Sequence, residues 1–324
     1  MPDGRCHPDA DRSARAAQLP AEEALRRICR LQLDAIERHR RGARCGRDPE
    51  ELHDLRVAVR RTRSALGEFR EFFPQPAVAR FREEFRWLGE ITGPVRDLDV
   101  YLAILPDYQG LLPGETAAAL EPFRLFLQRH RRLEQRRLVR RLASLRLQRL
   151  LADWRAFLTT AGADPWPEIA ARPAGEVARR RVWKLFRRFL RQGAAITAAS
   201  PDAELHRLRI TGKKLRYLVE FFREFYPPLE IDVLVKAMKG LQDYLGSYQD
   251  CTVQQARLRE LDRQMATEGD LPAETHAALA LLVERLHRRQ QGLRKEFSAR
   301  LRVFEHGRGR RGFVRLYAPA EEIS

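Results

Sequence analysis

The chain has 324 residues, enough to bury a sizeable core as one large domain or two ordinary ones. Apolar residues make up 44%, which argues against a disordered chain, and 61 Lys and Arg against 44 Asp and Glu leave a formal charge of +17; such a surplus repels itself and is most simply explained by a polyanionic partner. Four scattered cysteines (Cys6, Cys29, Cys45, Cys251) with no CxxC speak against a zinc site or a disulfide framework, and no apolar run reaches membrane-spanning length.

In chain order, residues 1–19 carry no apolar signal-peptide core and read as a flexible leader. From residue 20 to 158, apolar positions recur at i, i+3, i+4 and i+7, and no alternating β pattern appears, so the expected fold class is all-α. The first helix carries Arg26-Arg27. Asp48-Pro49-Glu50-Glu51 then supplies an N-cap, a proline at the first helical position and first-turn acids, opening a helix that Pro74 closes. Breaks are expected at Gly93-Pro94, at Pro106 and at Leu112-Pro113-Gly114. A long basic helix follows, RHRRLEQRRLVRR, with Leu133, Leu138 and Leu142 as its apolar edge. Residues 159–175, rich in Pro, Gly and Ala, form a linker. A second helical stretch, 176–306, begins with RRRVWKLFRR. It restarts at Ser200-Pro201-Asp202, is interrupted at Pro227-Pro228 and between Gly269 and Pro272, and ends in RLHRRQQGLRK and its continuation. Residues 307–324 read as a flexible basic tail.

The two helical stretches are copies. ELHDLRVAVRRTRSALGEFREFF, from Glu51, returns as ELHRLRITGKKLRYLVEFFREFY, from Glu204, at an offset of 153 (206 − 53). The same offset lays LGEITGPVRDLDV (Leu88 to Val100) on LQDYLGSYQDCTV (Leu241 to Val253), and Arg26-Arg27 on Arg179-Arg180. Later, HRR at His130 meets HRR at His287 with a shift of 157 (287 − 130). Two sequence-related helical bundles about a pseudo-twofold axis are therefore expected.

At 100° per residue, His53, Arg56, Arg60 and Arg63 share one stripe, beside an apolar stripe of Leu55, Val59, Leu66, Phe69 and Phe73. His206, Arg209, Lys213 and Arg216 repeat it, with Arg61 and Lys214 alongside. A solvated helix face normally mixes signs, whereas three turns of one sign weaken the helix unless an anion compensates. His53 and His206 can serve as pH-dependent phosphate donors or as neutral structural hydrogen-bonders, and the sequence leaves the two readings level. A metal is a poor third reading, because the neighbouring side chains are cationic. Further cations that correspond between the copies are Arg27 with Arg180, His130 with His287, and Arg137 with Arg294.

The acids recur too: Glu90 with Asp243 and Asp97 with Asp250. Two carboxylates can do acid–base work or hold Mg²⁺. The preferred reading is that Asp97 and Asp250 orient the arginines of the stripes by ion pairing. No phosphate loop, GxSxG elbow or HExxH motif is present, so no catalytic residue, metal ligand or cofactor is assigned.

LHDLRVAVRRTRSALGEF and, more loosely, LHRLRITGKKLRYLVEFF resemble the hallmark of the CHAD (conserved histidine α-helical domain) family, and LGEITGPVRDLDV resembles its second hallmark. The resemblance spans about residues 20–306. It implies two helical bundles around a basic central channel, non-enzymatic binding of inorganic polyphosphate there, and a cytoplasmic protein, polyphosphate granules included. The second copy departs from the pattern at Lys213-Lys214, at Gly212 within the helix, and at Gln249 in place of the arginine of RD. Arg→Lys keeps a point charge and loses the bidentate fork. Nucleic acid is the second candidate partner, disfavoured because aromatic stacking platforms and recognition-helix motifs are lacking. An enzyme acting on phosphoanhydrides is the third reading.

Overall fold

The computed structural model describes residues 8–160, 165–269 and 271–319. Among these there is no β-strand, only an isolated bridge between Pro20 and Pro173. The helices are α1 (Pro8–Gln18), α2 (Ala21–Cys45), α3 (Pro49–Glu68), α4 (Gln75–Ile91), α5 (Gly93–Gly110), α6 (Gly114–Ala118) and α7 (Glu121–Leu142). They continue with α8 (Leu145–Thr159), α9 (Ala174–Ala194), α10 (Asp202–Phe221), α11 (Pro228–Glu268), α12 (Ala273–His306) and α13 (Arg308–Tyr317). The expectation of an all-α chain holds.

Capping explains where α3 begins. Asp48 is extended at the N-cap, its Oδ1 accepts from the Glu50 amide at 2.9 Å, and Pro49 occupies the first turn. The helix ends a turn earlier than Pro74: after Phe69 a short 3₁₀ turn, Arg70–Phe72, intervenes, and Pro74 instead caps α4. Leu52, Leu55, Val59, Ala65 and Leu66 are buried. Each fully buried aliphatic side chain of this kind contributes about 1.5–3 kcal/mol.

The chain divides into two compact units. One comprises residues 26–166 and 252–288. Its core joins Leu98, Tyr101 and Leu105 of α5, Phe123 and Leu127 of α7, and Leu258, Leu261, Leu279 and Leu282 from α11 and α12. A second aromatic cluster stacks Trp154 on Phe157 (centroids 5.4 Å apart) and Phe157 on Trp166 (5.8 Å), with Phe81 against both Trp154 and Phe157. The other unit comprises residues 1–25, 167–251 and 289–324. There α9 packs on α10 and α13, with Phe186 stacked on Phe313 at 4.3 Å and Phe189 edge-on to Phe304 at 5.7 Å. The units are thus not the sequence copies: residues 252–288, from the second copy, share a core with α5 and α7 of the first.

Several local expectations are corrected. Pro106 does not break α5; it lies inside the helix, between the buried Leu105 and Tyr108. An interior proline costs about 3 kcal/mol, and burial of this apolar face offsets it. Part of the leader is helical. α1 packs on α9, where Gly175 leaves so little room that a Cβ would lie 2.8 Å from that of Ala17, and residues 1–7 fall outside the described residues. The tail expected to be flexible forms α13, whose Phe313 and Tyr317 are 0% and 1% exposed. Charge content hid an amphipathic helix there. Finally, the segment matching α4 and α5 is uninterrupted in the second copy, because Ser247 replaces Pro94 and α11 runs straight through.

Candidate anion-binding site

In the unit containing α3, the basic stripe lies over the place where α4 stops and α5 starts. Helix ends leave carbonyl groups without intrahelical partners. Arg56 meets this need: its Nη1 donates to Gly89 O at 2.8 Å and to Thr92 Oγ1 at 3.0 Å. Thr92, fully buried, donates its hydroxyl proton to Leu88 O at 2.8 Å. One side of the Arg56 guanidinium is thereby fixed to backbone. Burial, with help from Arg60, Arg96 and Arg63, lowers its pKa, and Asp97 opposes this. It remains charged at neutral pH.

Gly89 also makes room for Arg63, whose Nη1 would lie 3.2 Å from a Cβ built on that glycine, and Gly93 similarly faces Arg56 at 3.6 Å. The exposed Arg63 pairs with no carboxylate among the described residues. Arg60 is exposed and Arg61 half-buried. His53, half-buried, has its pKa lowered by burial first and then by Arg96 and Arg60, against Glu50 and Asp54. It is therefore neutral at pH 7, and an incoming anion would reverse that balance. Burial raises the Asp97 pKa, while Arg56, Arg257 and Arg96 pull it down.

Two members of this cluster escaped the sequence reading. Arg96 was visible in the RD motif but unassigned; its Nη1 lies 3.4 Å from Glu50 Oε1. Arg257, on α11, has no basic counterpart at the repeat offset, so nothing in the sequence marked it.

The second stripe is built differently. α11 is continuous, so its carbonyls are used internally, and Thr92 and Gly89 are replaced by Leu245 and Gln242. Arg209 instead lies 3.9 Å from Asp250 Oδ1. Gln242 turns inward and donates to Gly212 O at 2.7 Å. Gly212 itself accommodates Phe189, whose Cε2 would be 3.1 Å from an added Cβ; this accounts for a glycine where the first copy has Val59. Exposed His206 has Nδ1 at 2.8 Å from Gln249 Oε1, a contact that ties its ring to α11. Arg216 lies 3.6 Å from Glu220 and over the Tyr217 ring, and its buried Nε has no hydrogen-bond partner among the described residues. Lys213 and Lys214 are half-buried.

The remaining sequence candidates make contacts of other kinds. His130 Nε2 is 3.2 Å from Glu268 Oε1 and its ring packs on Phe126. Arg137 pairs along its own helix with Glu134 at 2.6 Å, and Arg180 with Glu176 at 3.4 Å. Arg27 and His287 are exposed. Arg294 is a structural clamp: its Nη2 donates to Thr197 O at 2.7 Å and Ser200 O at 2.6 Å, holding the connection into α10. In the first copy the corresponding clamp is Arg131, which holds Gly46 O at 2.9 Å and Asp99 at 2.8 Å. Arg137 is thus the wrong counterpart for Arg294, and the shift of 157 does not describe this contact.

Helices α3 and α10 each present at least three cations within three turns and carry the paired acids beside them. Such a surface can hold phosphates by charge-assisted hydrogen bonds.

The sequence profile of the CHAD domain matches residues 27–259. No curated protein matches the chain. Among solved structures, the CHAD domain from the plant Ricinus communis is similar, with 28% identity, a TM-score of 0.74, and coverage of 89% of this chain and 93% of that one. PptA from Streptomyces chartreusis shares 18% identity with a TM-score of 0.62, covering 87% of this chain and 99% of that one, a likeness of fold alone.

Proposed function

Because the chain belongs to the CHAD domain family, we propose that it binds inorganic polyphosphate on the basic faces of α3 and α10 without turning it over. The observation that carries this reading is the duplicated stripe: His53, Arg56, Arg60 and Arg63, and again His206, Arg209, Lys213 and Arg216. In the first, Arg56 is held in place by the end of α4 before any ligand arrives, which lowers the entropic cost of binding. Asp97 and Asp250 orient the arginines rather than act as acid and base. A cytoplasmic site of action, at polyphosphate granules, follows from the ligand and is read by imaging a tagged chain against a polyphosphate stain. No helix of the described residues is long and apolar enough to cross a membrane.

The decisive experiment is a competition titration of polyphosphate against duplex DNA at equal phosphate concentration and near-physiological salt. Polyphosphate should win, since the stripes lack stacking or groove-reading elements. Equal or tighter DNA binding would transfer the assignment to nucleic acid. Phosphate release by the purified protein with Mg²⁺, abolished by Asp97→Asn, would make it an enzyme.

A further inference from the structure

The unit containing α9 carries a groove of about 660 Å³ that none of the α10 stripe residues lines. That volume lies within the usual range for small-molecule sites, roughly 300–1,000 Å³. Five cations of α9 wall it: Arg179, Arg180, Lys184, Arg187 and Arg191, all exposed. Four of them fall at i, i+4, i+7 and i+11, one continuous face of the helix. The opposite face of α9 is spent on the core, through Val182, Phe186 and Phe189. The cationic face is thereby turned to solvent.

Two aromatic side chains share the groove with the cations. Trp183, half-buried, lies on α9 between Arg179 and Arg187. Tyr317 comes from α13, docked there through the Phe186–Phe313 stack and a contact with Tyr226 at 4.8 Å. It is 1% exposed, and its phenolic oxygen is buried with no hydrogen-bond partner among the described residues. An orphaned buried hydroxyl is unfavourable and calls for an explanation. A ligand oxygen seated against Tyr317 supplies the acceptor that is missing. A bare phosphate chain would need the cations and that hydroxyl, but it would have no use for an indole.

We propose that this groove is a second ligand site, taking a nucleoside polyphosphate, with its phosphates on the α9 cations and Tyr317 and its base against Trp183. It is independent of polyphosphate binding on the stripes.

The test is calorimetric titration of the full chain with ATP, tripolyphosphate and adenosine. ATP should bind about tenfold more tightly than tripolyphosphate, the contribution of one base–aromatic stack, and adenosine should bind far more weakly than either. Lys184→Glu with Arg187→Glu, both exposed, should cost ATP affinity tenfold or more, on the order expected for lost charge-assisted bonds. Arg209→Glu with Lys213→Glu, on the stripe, should leave ATP affinity unchanged while weakening long polyphosphate. Trp183→Leu should reduce ATP affinity to that of tripolyphosphate and spare the latter. Tyr317→Phe, which deletes only the orphaned oxygen, should weaken ATP binding without lowering the melting temperature, a combination that a packing role does not produce. ATP binding no tighter than tripolyphosphate, adenosine as tight as ATP, or ATP binding insensitive to the α9 reversal would each overturn the proposal. Failure of the stripe reading would show instead as long-chain affinity surviving Arg209→Glu with Lys213→Glu.

Discussion

His53 is neutral in the free protein because burial and the adjacent Arg96 oppose its charge. Its folded pKa lies below the unfolded value. The native state therefore binds fewer protons than the unfolded state as pH falls below the unfolded pKa, and stability declines there until the folded pKa is passed. A polyanion at the stripe favours imidazolium and raises that pKa, so binding takes up a proton. Polyphosphate affinity should accordingly rise as pH falls from neutral towards the depressed pKa, and His53→Gln should flatten that share of the rise. Titrations across that range check it; an unchanged slope in the variant would assign His53 a purely structural role. Asp97 sits among Arg56, Arg96 and Arg257. Asp97→Asn removes a competing anion but also a positioning partner, so the two effects oppose, and the expected change in affinity is within about threefold, as for weak surface pairs.

At the scale of the helix, two of the glycines that face neighbouring side chains give predictions of opposite kind. Gly89 lies within α4, where alanine ordinarily stabilises by about 0.5–1 kcal/mol. Its Cβ would meet the mobile end of Arg63 at 3.2 Å and touch Val59 Cγ1 at an ordinary 4.0 Å. Gly89→Ala should therefore maintain or raise the melting temperature while weakening polyphosphate binding, because Arg63 must move. Gly212 faces the ring of Phe189, which is 3% exposed and cannot retreat. Gly212→Val, which installs the residue of the first copy, should cost about 1–3 kcal/mol of stability through overpacking, read from the urea midpoint at constant slope. A neutral result would show that α9 and α10 can separate to accept the extra methyl groups.

For the whole molecule, if one long polyphosphate engages both stripes, tethered contacts reinforce one another through effective concentration. Arg56→Glu with Arg60→Glu, and Arg209→Glu with Lys213→Glu, should each cause a large and comparable loss of long-chain affinity. The reversals repel the ligand as well as removing contacts. Arg308→Glu with Arg310→Glu, exposed on α13, should do much less, with helical content of all three variants verified by circular dichroism. Logarithmic affinity should fall linearly with logarithmic salt as counterions are released, more steeply for long chains than for tripolyphosphate. If either stripe can be reversed without loss in a folded protein, the two do not act on one ligand.

The residues themselves determined the class of the fold, the duplication and the basic stripes, because these depend on local periodicity and on matching at a fixed offset. Asp48 and Pro49 start α3 by capping chemistry that needs no partner beyond the next turn. Tertiary structure alone decided which cations are engaged, and with what. Arg56 is anchored because α4 happens to end beneath it, Arg294 is spent on carbonyl groups nearly a hundred residues away in sequence, and Arg257 joins Asp97 although the first copy has no cation at the matching position. Likewise Pro106 is carried within α5, and residues 308–317 fold into α13, because burial of Tyr108 and of Phe313 and Tyr317 outweighs local preference. An arginine reads the same in a sequence whether it faces solvent, a helix end or a carboxylate; only the arrangement of distant backbone and side chains distinguishes them.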